Sequence, residues 1–305
     1  MTGTWEKLGR VYAPETPGRH PKLASHAANP VAIHIEGDVF RVYFSGRDSQ
    51  NRSSVGAVDI DLSRGSVIQE YDQPFFRHGE PGSFYADGVS IGGCYQVGTV
   101  RYMLFMGWQS PTDAHWRGDI GRLVVHPDLT LTLDRPSPFM GIHTEDPISL
   151  SYPWVEQFGP DDYRMWYGTI RTWDTGNREM LSVINSAVSA NGHDWTRTGL
   201  AVPFVLGTAQ AFSRPTVDRA RDGGWEMWFS YRGGGGDTYR IGYARSRDGE
   251  RWELALSETG LDVSREGWDS EMIEYPFVFR HKGRRYMLYN GNGYGRTGFG
   301  LAVQV

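Results

Sequence analysis

Five stretches of this chain follow one plan, and a plan repeated five times limits the fold more than any single motif. Each has a residue before Pro or Gly, a short apolar strand, a turn, and an aromatic-rich strand closing near Gly or Ser. They read "NPVAIHIEGDVFRVYFSG" from Asn29, "DGVSIGGCYQVGTVRYMLFMGW" from Asp87, "YPWVEQFGPDDYRMWYGT" from Tyr152, "RPTVDRARDGGWEMWFSY" from Arg214 and "YPFVFRHKGRRYMLYNGN" from Tyr275. The Pro or Gly positions 30, 88, 153, 215 and 276 are spaced by 58, 65, 62 and 61 residues. A period of roughly 60 residues with four strand signals per unit describes a propeller blade. Each unit continues into a third strand: "SSVGAVDID", "DIGRLVVH", "LSVINSAVS", "YRIGYARS" and "GFGLAVQV". In units 3 and 4, "SANGHDW" and "SRDGERW" turn into a Trp-headed fourth strand.

The fifth unit reaches Val305 without a fourth strand, while the N-terminal "GTWEKLG" has the same Trp-headed look. The expected fold is therefore all-β: a five-bladed β-propeller of four-stranded antiparallel blades. Residues 3–11 would complete blade 5 and close the ring, covering edges that separate blades would expose. Blade cores begin near 26, 84, 146, 211 and 271, which makes 1–305 a single domain. Aromatic strands such as "RVYFS", "RMWYG", "EMWFS" and "YMLYN" are expected to pack blade on blade, so Phe44, Trp166 and Trp228 are read as core.

Composition narrows the function. A formal net charge of −5 with both signs interspersed carries no basic stripe for nucleic acid. No apolar run approaches the length of a membrane span, and "MTGTWEKLGRVYAPE" has neither the basic nor the apolar part of a signal peptide. The one cysteine, Cys94, cannot pair within the chain and fits a reducing cytoplasm. No His, Cys and Asp cluster has metal-ligand spacing, and no cofactor is implied. "GGGG" at 233–236 lacks the Lys-Ser/Thr and helix of a phosphate loop, and it reads as a strand connection, as does "NGNGYG".

In a propeller the inner strands line a central channel, so the positions before Pro or Gly should point at one mouth. Those are Asn29, Asp87, Tyr152, Arg214 and Tyr275. The ends of the second strands should rim the same opening: Arg47 and Asp48, Trp108, Tyr231 and Arg232, Asn290 and Asn292. A repeat keeps identical residues where the reason is structural, so four residue types over five equivalent places point to function. Carboxylates available there are Asp48, Asp87, Glu145, Asp146, Asp269, Glu271 and Glu274. Arg47, Arg214 and Arg232 would bring forked donors suited to phosphate or carboxylate. His26 is a candidate hydrogen-bonding group or base at the same opening.

On "SHAANP" with "RVYFSGRD", "GSFYADGV" with "MLFMGW", "DPISLSYPWV" with "RMWYGT", "SRPTV" with "MWFSYRG", and "GWDSEMIEYPFVF" with "YMLYNGNGYGRTGFGLA", the chain resembles the five-bladed propeller glycosidases of families 43, 32, 62, 68 and 130. It is most similar to a less characterised family 43-like set associated with glycan or glycoconjugate biosynthesis. The resemblance implies a carbohydrate-active enzyme that cleaves or transfers a glycosyl group in the funnel using carboxylates from different blades. By analogy with a glutamate before an x-Pro step, Glu274 is the expected general acid and Glu271 the second choice. Asp146 of "TEDP" and Asp87 complete the catalytic candidates. His26, Asn29, Arg47, Asp48, Trp108, Tyr152, Arg214, Arg232, Tyr275 and Asn290 are the expected sugar contacts. Two departures stand out. Asn29 occupies the place of the blade-1 acid, and an amide is no general base. Tyr85 and Ala86 follow "GSF" where the closer set has acids. A family 130-like phosphorylase, an enzyme on a phosphorylated or nucleotide-linked sugar, a diverged non-hydrolytic enzyme and a noncatalytic sugar-binding propeller therefore remain alternatives.

Overall fold

The structure, a computed structural model, describes residues 3–15 and 18–305. The chain opens with β1 (Trp5–Tyr12) and then lays down four complete blades in sequence. Blade 1 is β2 (Ser25–Glu36), β3 (Val39–Arg47), β4 (Ser53–Asp61) and β5 (Ser66–Glu70). Blade 2 is β6 (Gly88–Val97), β7 (Val100–Gln109), β8 (Arg117–Val125) and β9 (Leu131–Leu133). Blade 3 is β10 (Leu150–Gly159), β11 (Asp162–Thr172), β12 (Leu181–Ser189) and β13 (Thr196–Leu200). Blade 4 is β14 (Ser213–Arg219), β15 (Trp225–Tyr231), β16 (Arg240–Ser246) and β17 (Trp252–Leu254). Blade 5 is β18 (Glu274–His281), β19 (Arg284–Asn290) and β20 (Phe299–Gln304), with β1 as its outer strand.

The ring thus closes as the sequence predicts. β1 pairs antiparallel with β20 from Trp5↔Gln304 to Tyr12↔Phe299. At its end the Tyr12 ring meets Phe299 of blade 5 and Phe44 of blade 1, at 5.6 and 5.3 Å. A single parallel bridge, Ser53↔Gly88, links blades 1 and 2. Among the described residues there is no α-helix, and no helix is long and apolar enough to cross a membrane.

Packing follows from the aromatic second strands. Phe44, Phe105 and Phe229 are fully buried, each directly opposite a glycine on the third strand: Gly56, Gly121 and Gly242. A Cβ on any of these would fall within 2.7 Å of the facing ring. Burying each phenyl ring is worth on the order of 2–3 kcal/mol. Trp166 and Trp228 are likewise sealed inside, at 0% and 1% exposure, so the aromatic strands are core.

The inner strands carry the feature that shapes the channel. In every blade the register between first and second strand slips across two residues: 29–30, 92–93, 152–153, 214–215 and 275–276. Four of these are X-Pro steps, and Asn29, Tyr152, Arg214 and Tyr275 all sit in the left-handed region, at φ 56°, 38°, 49° and 53°. Such strain costs on the order of 1–3 kcal/mol per non-glycine residue. The bulges turn these residues inward.

Blade 2 corrects the sequence reading. Its slip lies at Gly92–Gly93, and Asp87-Gly88 only resembles the X-Pro pattern. Counted by register, the repeat runs 30, 93, 153, 215 and 276, spaced by 63, 60, 62 and 61. Glycines are required there because a Cβ on Gly92 would lie 2.5 Å from the Pro153 carbonyl oxygen, and one on Gly93 2.8 Å from the Trp154 ring. Trp154 in turn meets Phe277 across the axis at 5.5 Å, so apolar rings fill the channel below the bulges.

Arg214 knots the bulges together. Its guanidinium donates to the carbonyls of Tyr275 (2.6 Å), Pro30 (2.8 Å), Pro276 (3.3 Å) and Gly92 (3.5 Å), joining blade 4 to blades 5, 1 and 2. Burial pushes its pKa down to about 9, which leaves it charged at neutral pH. Replacing Arg214 by Met keeps the volume but strands those carbonyls. We expect a loss of about 2–4 kcal/mol in urea unfolding; an unchanged midpoint would mean the knot carries no weight.

Candidate functional site

Immediately before the bulge, the five blades carry Ala28, Ile91, Ser151, Ser213 and Glu274. Blade 5 alone places an acid there. Glu274 begins β18 opposite Asn290, and its position is fixed from both sides. The Ser230 hydroxyl of blade 4 accepts the Tyr275 N–H at 2.7 Å, as Ser45 accepts Ile91 N–H between blades 1 and 2 at 3.2 Å. Glu274 is 0% exposed, and among the described residues no backbone N–H, amide or arginine donor bonds either carboxyl oxygen; the adjacent Tyr275 side chain is the one polar group that acts on it at close range. Burial holds its carboxyl well above the usual carboxylate range, and Arg232, Arg47 and Arg214 pull the other way without restoring it. Burial therefore favours the neutral acid over the carboxylate at this position.

Tyrosines and arginines surround it. Tyr152 and Tyr275 face each other across the axis with ring centroids 5.4 Å apart, and burial raises the pKa of both hydroxyls. Arg232, after β15, makes a two-pronged ion pair with Glu179 at 2.7 and 3.0 Å, donates to the Tyr294 hydroxyl at 3.2 Å and lies 4.7 Å over the Tyr239 ring. A cavity of about 260 Å³ opens beside it, lined also by Tyr231, Asp237, Thr238 and Arg240. On the blade-1 side stands His26, at φ 62°, sharing a 2.9 Å hydrogen bond between Nδ1 and the Ser25 hydroxyl. Burial, with Arg47 and Arg296 nearby, pushes its pKa down to about 4, so the imidazole is neutral. Asn29 lies on the same floor with an unpartnered side-chain oxygen.

The structure therefore gathers Glu274, Tyr152, Tyr275, Arg47, Arg232, His26 and Asn29, and relocates other predicted residues. Asp146 is fully buried in a clamp on the outer part of blade 3. It accepts from Tyr167 Oη (2.8 Å) and Asn185 Nδ2 (2.8 Å) and forms an ion pair with Arg197 at 2.9 Å. Asp269 repeats this in blade 5 with Tyr289 Oη (3.1 Å) and Lys7 Nζ (2.7 Å). Both acids precede an inner strand and join a second-strand Tyr to a fourth-strand cation, which is a structural reason for "EDP" and "WDS". Arg214 is consumed by backbone carbonyls. Asn290 stitches blade 5 to blade 1, accepting Asn29 N–H at 2.9 Å and donating to Ala27 O and Gly298 O at 2.7 and 2.8 Å.

Asp48 caps its own turn, accepting Gln50 and Arg52 N–H at 2.9 Å and pairing with the Arg52 side chain. Asp87 is half-buried and accepts Ser110 N–H at 2.6 Å, five residues ahead of its blade's bulge. Trp108 donates to the Ser53 hydroxyl at 3.1 Å. Glu271 is exposed on the loop before β18, where its backbone N–H is held by Asn292 at 2.8 Å. Glu179, Tyr239, Tyr294 and Arg296 join the mouth without having been foreseen. They lie in loops between second and third strands, where no periodic pattern marks them. Among the described residues no group of three or more His, Cys, Asp or Glu is placed to hold a metal ion.

No family profile matches the chain. Two curated proteins of Mycobacterium tuberculosis, Rv1502 of strain H37Rv and MT1551 of strain CDC 1551, both described as uncharacterized, are 44% identical over 302 residues, covering 98% of this chain and 98% of each relative. The chain belongs to the family of these two proteins. Among solved structures, this family's fold is that of propeller glycoside hydrolases. A glycosyl hydrolase from Bacteroides ovatus superposes with a TM-score of 0.73 at 12% identity, covering 99% of this chain and 94% of that one. The catalytic domain of the family 62 α-L-arabinofuranosidase from Coprinopsis cinerea gives 0.67 at 11%, with 100% and 98% covered. A protein from a study of the family 130 mannoside phosphorylases gives 0.70 at 12%, with 99% and 94% covered. At such identities the likeness is one of fold.

The buried acid has a measurable signature. The folded state holds the Glu274 proton above the pH where the unfolded chain releases it, near 4.5, so this group costs stability increasingly as pH rises from there. Glu274→Gln removes that cost. The stability of the variant relative to wild type is expected to increase above pH 4.5 and level off once the pH passes the folded-state pKa; a gap that is flat or shrinks with pH would mean the carboxyl is ionised.

Proposed function

We propose that this chain is a carbohydrate-active enzyme that cleaves or transfers a glycosyl group at the propeller mouth, with Glu274 as the general acid. The five blades, residues 1–305, act as one domain. The observation that carries the reading is the buried carboxyl of Glu274, the one acid at a position where every other blade has a residue unable to ionise. Propeller glycoside hydrolases as fold neighbours support the substrate class.

In the reaction Glu274 donates its proton to the glycosidic oxygen as the bond from that oxygen to the anomeric carbon breaks. An incoming oxygen nucleophile takes the anomeric carbon and releases its proton to bulk water, and Glu274, sealed in the unliganded fold, regains a proton as the product leaves and the mouth reopens. Tyr152, Tyr275 and Asn29 supply hydroxyl and amide groups to orient the ring, and Arg232 offers its face toward the adjoining cavity. Asp48 and Asp146 are bound into turns and clamps, Asp87 and Glu271 lie outside the floor, and Glu179 is tied to Arg232. This distribution favours transfer to an acceptor from outside the protein over hydrolysis by two protein carboxylates.

A screen of glycosides with and without phosphate or acceptor sugars, read by NMR, tests the assignment. Glu274→Gln should lower turnover by about 10²–10⁴-fold, whereas Asp146→Asn should lower stability but leave turnover per folded molecule in place. Full activity in Glu274→Gln would remove the assignment. Glycan binding without turnover by the wild type would favour a noncatalytic sugar-binding propeller.

A further inference from the structure

The arginines at the mouth are not equivalent. Arg214 spends its guanidinium on backbone carbonyls and Arg232 on Glu179. Arg47 meets only the neutral side chain of Asn51, at 2.7 Å. The Arg296 side chain has no hydrogen-bond or ion-pair partner among the described residues. The backbone brings these two together around His26. Arg47, at the end of β3, pairs with Ser25, and Ala27 N–H donates to Gly295 O at 2.9 Å, setting Arg296 on the other flank. Both cations act on the His26 imidazole. That imidazole carries no charge to repel an anion, and the buried Glu274, favoured as the neutral acid, carries none to neutralise the arginines. The result is a pair of positive charges from two blades, neither in an ion pair among the described residues.

We propose that Arg47 and Arg296 bind a phosphate group at the mouth. A carboxylate offers two oxygens, enough for one guanidinium fork, whereas a phosphate offers three non-bridging oxygens and up to two negative charges, which suits two forks arriving from different directions. Neutral His26 adds one donor or acceptor between them. The inference deepens the glycosyl reading by assigning the substrate class: a phosphorylated or nucleotide-linked sugar whose phosphate rests on Arg47 and Arg296 while its anomeric centre faces Glu274. The same two residues would also hold free inorganic phosphate, and the binding experiment separates the two sources. It rests on the glycosyl reading only for the sugar.

Titration calorimetry at low ionic strength tests it, since exposed charges are screened by salt. The titrants are inorganic phosphate, glucose 1-phosphate, uridine diphosphate and glucose, each at millimolar concentration. The proteins are wild type, Arg47→Gln, Arg296→Gln, Glu274→Gln and the exposed control Arg64→Gln. Wild type should bind phosphate-bearing titrants, with at least a tenfold weaker affinity in Arg47→Gln and in Arg296→Gln and no change in Arg64→Gln. Tighter binding of glucose 1-phosphate or uridine diphosphate than of inorganic phosphate assigns the phosphate to the substrate; equal affinities assign it to a free anion. No binding of any phosphate-bearing titrant by the wild type, or undiminished binding in both arginine variants, overturns the inference. Glu274→Gln should retain binding, so a failed catalytic assignment and a failed phosphate site give different results.

Discussion

The structure depends on the knot that Arg214 ties at the centre of the ring. Five inner strands each carry a bulge of two residues against one at the equivalent place, and four of them hold a non-glycine residue in a left-handed conformation there. Left alone, the bulges would strand carbonyls in a space too crowded for water. One guanidinium answers four of them at once. Trp154 and Phe277 close the channel beneath, so the propeller has a floor in place of a pore. A rigid floor is what a site needs if side chains on separate blades are to meet at fixed distances.

That floor accounts for the state of Glu274. Its neighbours along the repeat are Ala, Ile, Ser and Ser, so no local pattern demands an acid. Its oxygens are buried, and the arginine that would most readily pair with it from blade 4, Arg232, is already engaged by Glu179. Glu179 thus holds the Arg232 guanidinium in a two-pronged ion pair, an arrangement that only the folded chain reveals.

The repeat made the blades, the ring closure and the aromatic core legible, because blade-to-blade packing imposes the same residue types at the same period. It misled in blade 2. "DGV" resembles "NPV", and the true bulge at Gly92–Gly93 is set by the approach of Pro153 and Trp154 from the next blade. The acids divided along a similar line. The resemblance singles out Glu274 at its x-Pro step, and the fold buries it at the head of β18, while Asp146 and Asp269 look catalytic in sequence and are clamps in space, since what distinguishes them is a Tyr and a cation on strands far along the chain. Arg296 was hidden in a glycine-rich turn whose composition speaks only of connection.

The account places the chemistry at Glu274, and a crystal structure with a glycoside or glycosyl phosphate trapped in the Glu274→Gln variant tests that most directly. The predicted result is a glycosidic oxygen about 3 Å from the side chain at 274, with the sugar between Tyr152 and Arg232. A ligand seated instead in the cavity of about 460 Å³ beside Phe139, His193 and Trp195, with the floor around residue 274 untouched, would contradict it.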